Sequence, residues 1–189
     1  PYKLEPEVWE QPEKFLAISD VEGQYDYMFQ FLVNNGVIDK NGHWSFGKGH
    51  FVCIGDMVDR GHQVTETLLL LLRMYKEAKK AGGYVHYVLG NHEVMMMGGD
   101  IRYTHPKYKE VAAQLKIPCQ DLLGANTEIG RFLRTRHILV RVGDYLFVHA
   151  GISTPVNKTK LGMKKLNALV RSVLGVSRAN IKDGFTQAV

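Results

Sequence analysis

The sequence predicts an α/β fold with parallel strands that end in polar, glycine-flanked loops. Two patterns carry that expectation. Apolar runs of strand length recur at Phe15–Ile18, Phe51–Ile54, Tyr84–Leu89, Ile138–Val142 and Tyr145–Val148. Two helical patterns separate the first three runs, and the order strand, helix, strand, helix, strand implies parallel strands with right-handed crossovers.

The elements follow in order. Tyr25, Met28, Phe29 and Leu32 recur at helical spacing and stop at Asn34-Asn35-Gly36. Val64, Leu68, Leu71, Leu72 and Tyr75 repeat the pattern, and Gly82-Gly83 ends that helix after a basic last turn. Residues 101–135 read as helical and irregular, with helices expected at Tyr108–Leu115 and Thr127–Arg134. The last two apolar runs flank Gly143-Asp144, a turn-compatible pair that predicts an antiparallel hairpin. A final amphipathic helix carries Leu166, Leu169, Val170, Val173 and Leu174. No repeat or Pro/Gly/Ser linker divides the chain, so residues 1–189 read as one α/β domain.

Composition narrows the function classes. The 189 residues, 45% of them hydrophobic, suffice for one packed core. No stretch approaches the roughly 18–20 apolar residues of a membrane span, and Leu68–Leu72 is far too short. A net charge of +5 mildly favours anionic partners. The cations are scattered apart from clusters such as Lys76, Lys79 and Lys80, and they do not alternate with aromatics, so nucleic acid is not an expected partner. Cys53 and Cys119 form neither a disulfide framework nor a zinc knuckle, and Cys53 reads as a small core residue. Pro1-Tyr2-Lys3-Leu4 lacks a starting Met and the apolar core of a signal peptide, and so reads as trimmed. Cytoplasmic and exported locations both stay open, as does the oligomeric state.

The informative residues follow the strands. They are Ser19-Asp20-Val21-Glu22-Gly23, Gly55-Asp56-Met57-Val58-Asp59-Arg60-Gly61, Gly90-Asn91-His92-Glu93 and His149-Ala150-Gly151. Ligands in open α/β sheets bind beyond the carboxyl ends of the strands, so four such tips converge on one place. Singly, each residue has a bland explanation: Asp20 as a helix cap, Asp59-Arg60 as a surface ion pair, His149 as a core histidine. Their joint occurrence at four strand ends points instead to a metal centre built from Asp20, Glu22, Asp56, Asn91 and His149. Carboxylates, an amide oxygen and imidazole suit Mn, Fe or Zn, and a central Asp can bridge two cations about 3.5–4 Å apart, as two-metal hydrolysis requires.

The second and third of these blocks resemble the signatures of the phosphoprotein-phosphatase branch of the calcineurin-like metallophosphoesterases. His149-Ala150-Gly151-Ile152 resembles a later block of that family, and Gly99-Asp100-Ile101-Arg102-Tyr103 looks most like the Shewanella-like protein phosphatases. The resemblance runs from about Phe15 to Leu174 and implies a β-sandwich flanked by helices, in α/β/β/α layers. It also implies roles. Asp20 binds a first metal, Asp56 bridges both, and Asn91 and His149 bind the second. His92 protonates the leaving alkoxide, Asp59 orients His92, and Arg60 holds phosphate oxygens, with Asn91 and Arg102 as further substrate contacts.

Two departures qualify the resemblance. Glu22 stands where the family's Asp-x-His-Gly block has a metal-binding His; as an oxygen ligand it hardens the first site and favours Mn, Mg or Fe over Zn. No histidine follows His149, where the family places another ligand, and residues 182–189 lack closing strands, so the chain reads as a fragment. His43, His50, His62, His86, His105 and His137 carry no expected role, and Met95-Met96-Met97 is expected to pack beneath the site loop. The expected function is metal-dependent hydrolysis of phosphate monoesters, on phosphoserine, phosphothreonine or phosphotyrosine. A dinucleoside polyphosphate hydrolase and a catalytically impaired phospho-ligand-binding homologue stay open.

Overall fold

In the computed structural model, residues 2–182 are described. The expectation about the chain's ending falls on residues 183–189 and lies outside them. In chain order the elements are β1 (Val8–Trp9), β2 (Phe15–Ile18), α1 (Tyr25–Asn34), β3 (His50–Ile54), α2 (Val64–Ala81), β4 (Tyr84–Val88), α3 (Asn91–Met97), α4 (Pro106–Leu115), α5 (Glu128–Leu133), β5 (Leu139–Val142), β6 (Tyr145–Val148), α6 (Thr154–Lys158) and α7 (Met163–Val173).

Strands β2, β3 and β4 form one parallel sheet in that order, with Ile18 beside Cys53 and Ile54 beside Val88. That register brings the three carboxyl ends to nearly the same level. The second sheet has the order β1-β5-β6, with the expected hairpin closing at Val142 opposite Tyr145. Alternation along the strands sorts the side chains into layers. Phe51 and Cys53 of β3 face the helices, with Val85 and Tyr87 of β4. Val52 and Val88 face the second sheet and meet Val140, Val142 and Phe147 there. Leu139, on the other face of β5, packs on Val156 and Leu166 of the outer helices. The layers are those the resemblance implies.

Helix α2 shows why the crossover holds. Val64, Leu68, Leu71, Leu72 and Tyr75 are buried, as are Leu70, Met74 and Ala78, whereas Leu69 on the outer face is half exposed. Each large apolar side chain buried this way contributes about 1.5–3 kcal/mol. Gly82 ends the helix in the left-handed conformation that L residues avoid. On the far side, Asn167 pins α7 to the second sheet: its amide accepts from Ile138 N and Leu139 N, both at 3.0 Å, and donates to Leu139 O at 2.9 Å.

The block Gly90–Glu93 stands at the start of a helix. It opens α3, whose seven residues carry Met96 and Met97 into the core as expected for packing beneath the site. The two-residue β1 carries too short a pattern to be read from sequence. Its Trp9 ring lies 4.0 Å from Tyr84 and ties the edge of one sheet to the other.

Candidate metal centre

The strand-tip loops continue the sheet's pairing beyond its end. Asp20 N donates to Gly55 O at 3.1 Å, Glu22 N to Asp56 O at 2.9 Å, and Gly23 N to Met57 O at 3.1 Å. Seven non-glycine residues among those described have positive φ, and five are Asp20, Glu22, Asp56, Asp59 and Arg60. Such conformations cost energy, and their concentration in two loops marks where geometry was selected over local stability. Glycine permits the close approach. A Cβ on Gly90 would lie 2.1 Å from Asp56 Oδ1, and one on Gly55 would lie 2.7 Å from His149 Nδ1.

One side chain holds this arrangement from below. Glu93 is fully buried, and its Oε2 accepts from Gly90 N at 2.7 Å and Asp56 N at 2.9 Å. Its Oε1 accepts from Met57 N at 2.8 Å, Val58 N at 3.3 Å and the Tyr87 hydroxyl at 3.0 Å. Burial pushes the Glu93 carboxyl above the usual glutamate range, against the downward pull of those N–H groups. Sequence reading quoted Glu93 without giving it a role. The available signal was its place three residues into a helix, where a Glu reaches back to the cap N–H.

The metal-competent atoms converge above Glu93. Asp20, Asp56 and His149 each offer an atom within 4.8 Å of the others, and so do Glu22, Asp56 and His92. Asp56 belongs to both groups, as a bridging carboxylate must. His149 also stands beside Asn91, the residue expected to share the second metal with it. Helix α1 begins after Gln24 without a side-chain cap, so Asp20 is not a helix cap. His149 Nδ1 donates to Ile54 O at 2.7 Å, which fixes the tautomer and turns the Nε2 lone pair inward. That Nε2 faces Asn91 Oδ1 at 3.0 Å and Asp56 Oδ2 at 3.0 Å. Three lone-pair-bearing atoms aimed at one another form a set that a cation completes, so the residues present fit a metal.

Beside this cluster stands a buried histidine–carboxylate pair. His92 Nδ1 lies 2.9 Å from Asp59 Oδ2, and both residues are buried. Thr104 Oγ1 donates to Asp59 Oδ1 at 2.8 Å and fixes the carboxylate; sequence reading missed this buried threonine. His92 N donates to Asp56 Oδ1 at 2.9 Å, coupling the pair to the metal donors. Arg60, expected on phosphate, is ion-paired with Glu22. Arg102 is paired with Asp100, Nε to Oδ1 and Nη2 to Oδ2, both at 2.8 Å, which holds the Asp100 carboxyl below its ordinary range. The remaining histidines have partners elsewhere: His43 with Glu77, His50 with His86, and His137 with Glu5 O. His105 caps α4, and His62 O accepts from Tyr108.

Residues 13–177 match the model of the calcineurin-like phosphoesterase family. Shewanella-like protein phosphatase 2 of Arabidopsis thaliana is 27% identical, over 86% of this chain and 52% of that protein. A symmetrical bis(5'-nucleosyl)-tetraphosphatase of Methylococcus capsulatus is 30% identical, over 72% of this chain and 42% of its own length. The crystal structure of a cold-active protein-tyrosine phosphatase from a psychrophilic Shewanella species is similar at 39% identity and a TM-score of 0.94, covering 97% of this chain and 56% of that one. The chain thus spans about half the length of the relatives it matches. With the signature blocks placed on adjoining strand tips and the match covering most of its length, the chain belongs to the calcineurin-like phosphoesterase family.

Proposed function

We propose that this chain carries the site of a metal-dependent phosphatase acting on phosphate monoesters. The observation that carries the reading is Asp56, a single buried carboxylate shared by two groups of metal-competent atoms. Asp20, Glu22, Asp56, Asn91 and His149 would hold two ions, with Mn favoured because four of the five offer oxygen. Such a pair supplies charge neutralisation on the phosphate and activation of the attacking water. His92, aligned by Asp59, delivers the proton that an alkoxide leaving group requires. Arg60 stands at the loop tip, where its planar donor fork suits phosphate oxygens once Glu22 releases it.

The similarity to a protein-tyrosine phosphatase and to a Shewanella-like protein phosphatase favours phosphoprotein substrates. The 30% identical tetraphosphatase supports dinucleoside polyphosphates as the second reading. Metal analysis combined with an aryl-phosphate assay tests the proposal. Two bound metals, with turnover abolished in Asp56→Asn, are expected. A full-length protein that binds no metal and stays inactive with added Mn refutes it.

A further inference from the structure

Asp59 is held in a conformation that it would not keep alone. Its φ is 69° and that of Arg60 is 54°, in the left-handed region that costs an L residue energy and persists only where neighbouring bonds enforce it. Much of that enforcement comes from residues 103–108. Arg60 N donates to Tyr103 O at 2.9 Å. Lys107 Nζ donates to His62 O at 2.8 Å, and the Tyr108 hydroxyl donates to the same carbonyl and accepts from Thr65 N, both at 3.0 Å. The segment thus clamps the loop from Arg60 to Thr65.

Thr104, within that segment, reaches the Asp59 side chain. Its Oγ1 donates to Asp59 Oδ1 at 2.8 Å, while the other oxygen, Oδ2, faces His92 Nδ1 at 2.9 Å. All three residues are buried. The two bonds use different oxygens of one carboxylate, so together they set its rotation. Among the described residues, only Thr104 donates to Oδ1. Without that hydroxyl the oxygen is buried and unsatisfied, and the carboxylate gains by turning away from its present pose. A buried imidazole takes its orientation from the carboxylate its Nδ1 faces. Position therefore passes from Thr104 through Asp59 to the far side of the His92 ring, where Nε2 stands 4.0 Å from Asp56 Oδ2.

We propose that Thr104 is a positioning residue: by occupying Asp59 Oδ1 it fixes the carboxylate that aims His92 Nε2 at the leaving oxygen. The role rests on the reading of His92 as the proton donor of a phosphatase. Thr104 is itself 3% exposed and beneath the surface, so its contribution falls on proton delivery and not on substrate binding.

Thr104→Val keeps the shape and removes the donor, and Thr104→Ser keeps the donor. Both are assayed in the full-length protein loaded with Mn, on ethyl phosphate and on p-nitrophenyl phosphate. In Thr104→Val, kcat on ethyl phosphate should fall about tenfold, the scale of removing the partner behind a functional histidine. On p-nitrophenyl phosphate, whose leaving group needs little help from a proton, the fall should stay within about twofold. KM should hold on both, Thr104→Ser should recover most of the loss, and Thr104→Ala should show the same split as valine. Equal losses on the two substrates, a loss carried by KM, no loss at all, or no recovery in Thr104→Ser overturns the proposal. Proton NMR of the metal-free protein reads the pair without turnover. The His92 Nδ1–H signal, assigned as the one missing in His92→Gln, should be sharp in the unmodified protein and in Thr104→Ser, and broadened by solvent exchange in Thr104→Val. No such signal in the unmodified protein, or one equally sharp in Thr104→Val, overturns the proposal too. Broadening in a protein that shows no turnover refutes the phosphatase reading and leaves the hold of Thr104 on the pair standing; turnover with neither broadening nor a split between substrates does the reverse.

Discussion

Replacing Glu93 with glutamine tests whether one buried carboxylate builds the loop that carries Asp56. The side chains are nearly isosteric, so packing hardly changes, but one acceptor oxygen becomes an NH2 donor. The better amide orientation keeps its oxygen at the Oε1 position, facing Met57 N, Val58 N and the Tyr87 hydroxyl. The new NH2 then faces Asp56 N and Gly90 N, which bond to Oε2 at 2.9 and 2.7 Å. Two buried donors lose their acceptor. At about 1–3 kcal/mol for each unsatisfied group, the expected destabilisation is about 2–6 kcal/mol. For a chain of this size that is a fall in melting temperature of roughly 5–20 °C. Urea denaturation of the metal-free protein measures the loss, and calorimetric titration with Mn measures its effect on the site. Mn affinity should fall as well, because the Asp56 and Gly90 backbone sets where the Asp56 carboxylate points. A variant within about 0.5 kcal/mol of the unmodified protein, with unchanged Mn binding, refutes the reasoning.

Other outcomes follow from the same geometry. His92→Ala should lower kcat on an alkyl phosphate by about 10²–10⁴-fold. The loss should be smaller on p-nitrophenyl phosphate, whose leaving group needs less help from a proton; equal losses on both would argue against proton donation. Glu22→Gln should weaken Mn binding and strengthen phosphate binding to the metal-free protein, both read by calorimetry; a change in neither makes Glu22 a bystander. Burial, with the nearby charges of His50 and Arg136, holds His86 down to about 3, and burial also lowers His50. The unfolded chain therefore binds more protons than the folded one between about pH 3 and 6.5. Stability is fully present above that window and is lost as pH falls through it, by at most about 4–5 kcal/mol for His86. Urea midpoints should rise from pH 4.5 to 7.5, and His86→Gln should flatten that slope; an unchanged slope would sink the assignment.

Local pattern carried the sheet and its tips because strand and helix periodicity survive in the chain itself. Phe15–Ile18 and Tyr145–Val148 form strands as expected, and α1 runs from Tyr25 to Asn34, ending within the expected stop at Asn34-Asn35-Gly36. The strand-tip rule then placed Asp20, Asp56, Asn91 and His149 together, because parallel register aligns carboxyl ends whatever the loops do. Long-range pairings were not legible. Glu93 meets Asp56 from 37 residues away, and Thr104 meets Asp59 across 45. Neither contact leaves a periodic trace. The pairing of Arg60 with Glu22 was hidden for the same reason: two side chains with separate expected duties turn out to satisfy each other.

That pairing sets the electrostatics of the site. Asp20, Glu22 and Asp56 bring three carboxylates to neighbouring strand tips. A histidine at position 22 would bring two, and would leave Arg60 without its carboxylate. Like charges about 4 Å apart repel by about 4 kcal/mol at the effective dielectric typical near a protein surface. Phosphate, itself an anion, therefore meets repulsion from the tips and a guanidinium already occupied by Glu22. Cations bound as proposed would reverse both effects: they would neutralise the carboxylates and compete with Arg60 for Glu22. On the proposed assignment, metal and phosphate would reinforce one another through Glu22. Because binding free energies are reciprocal, phosphate must tighten metal binding by the same factor by which metal tightens phosphate binding.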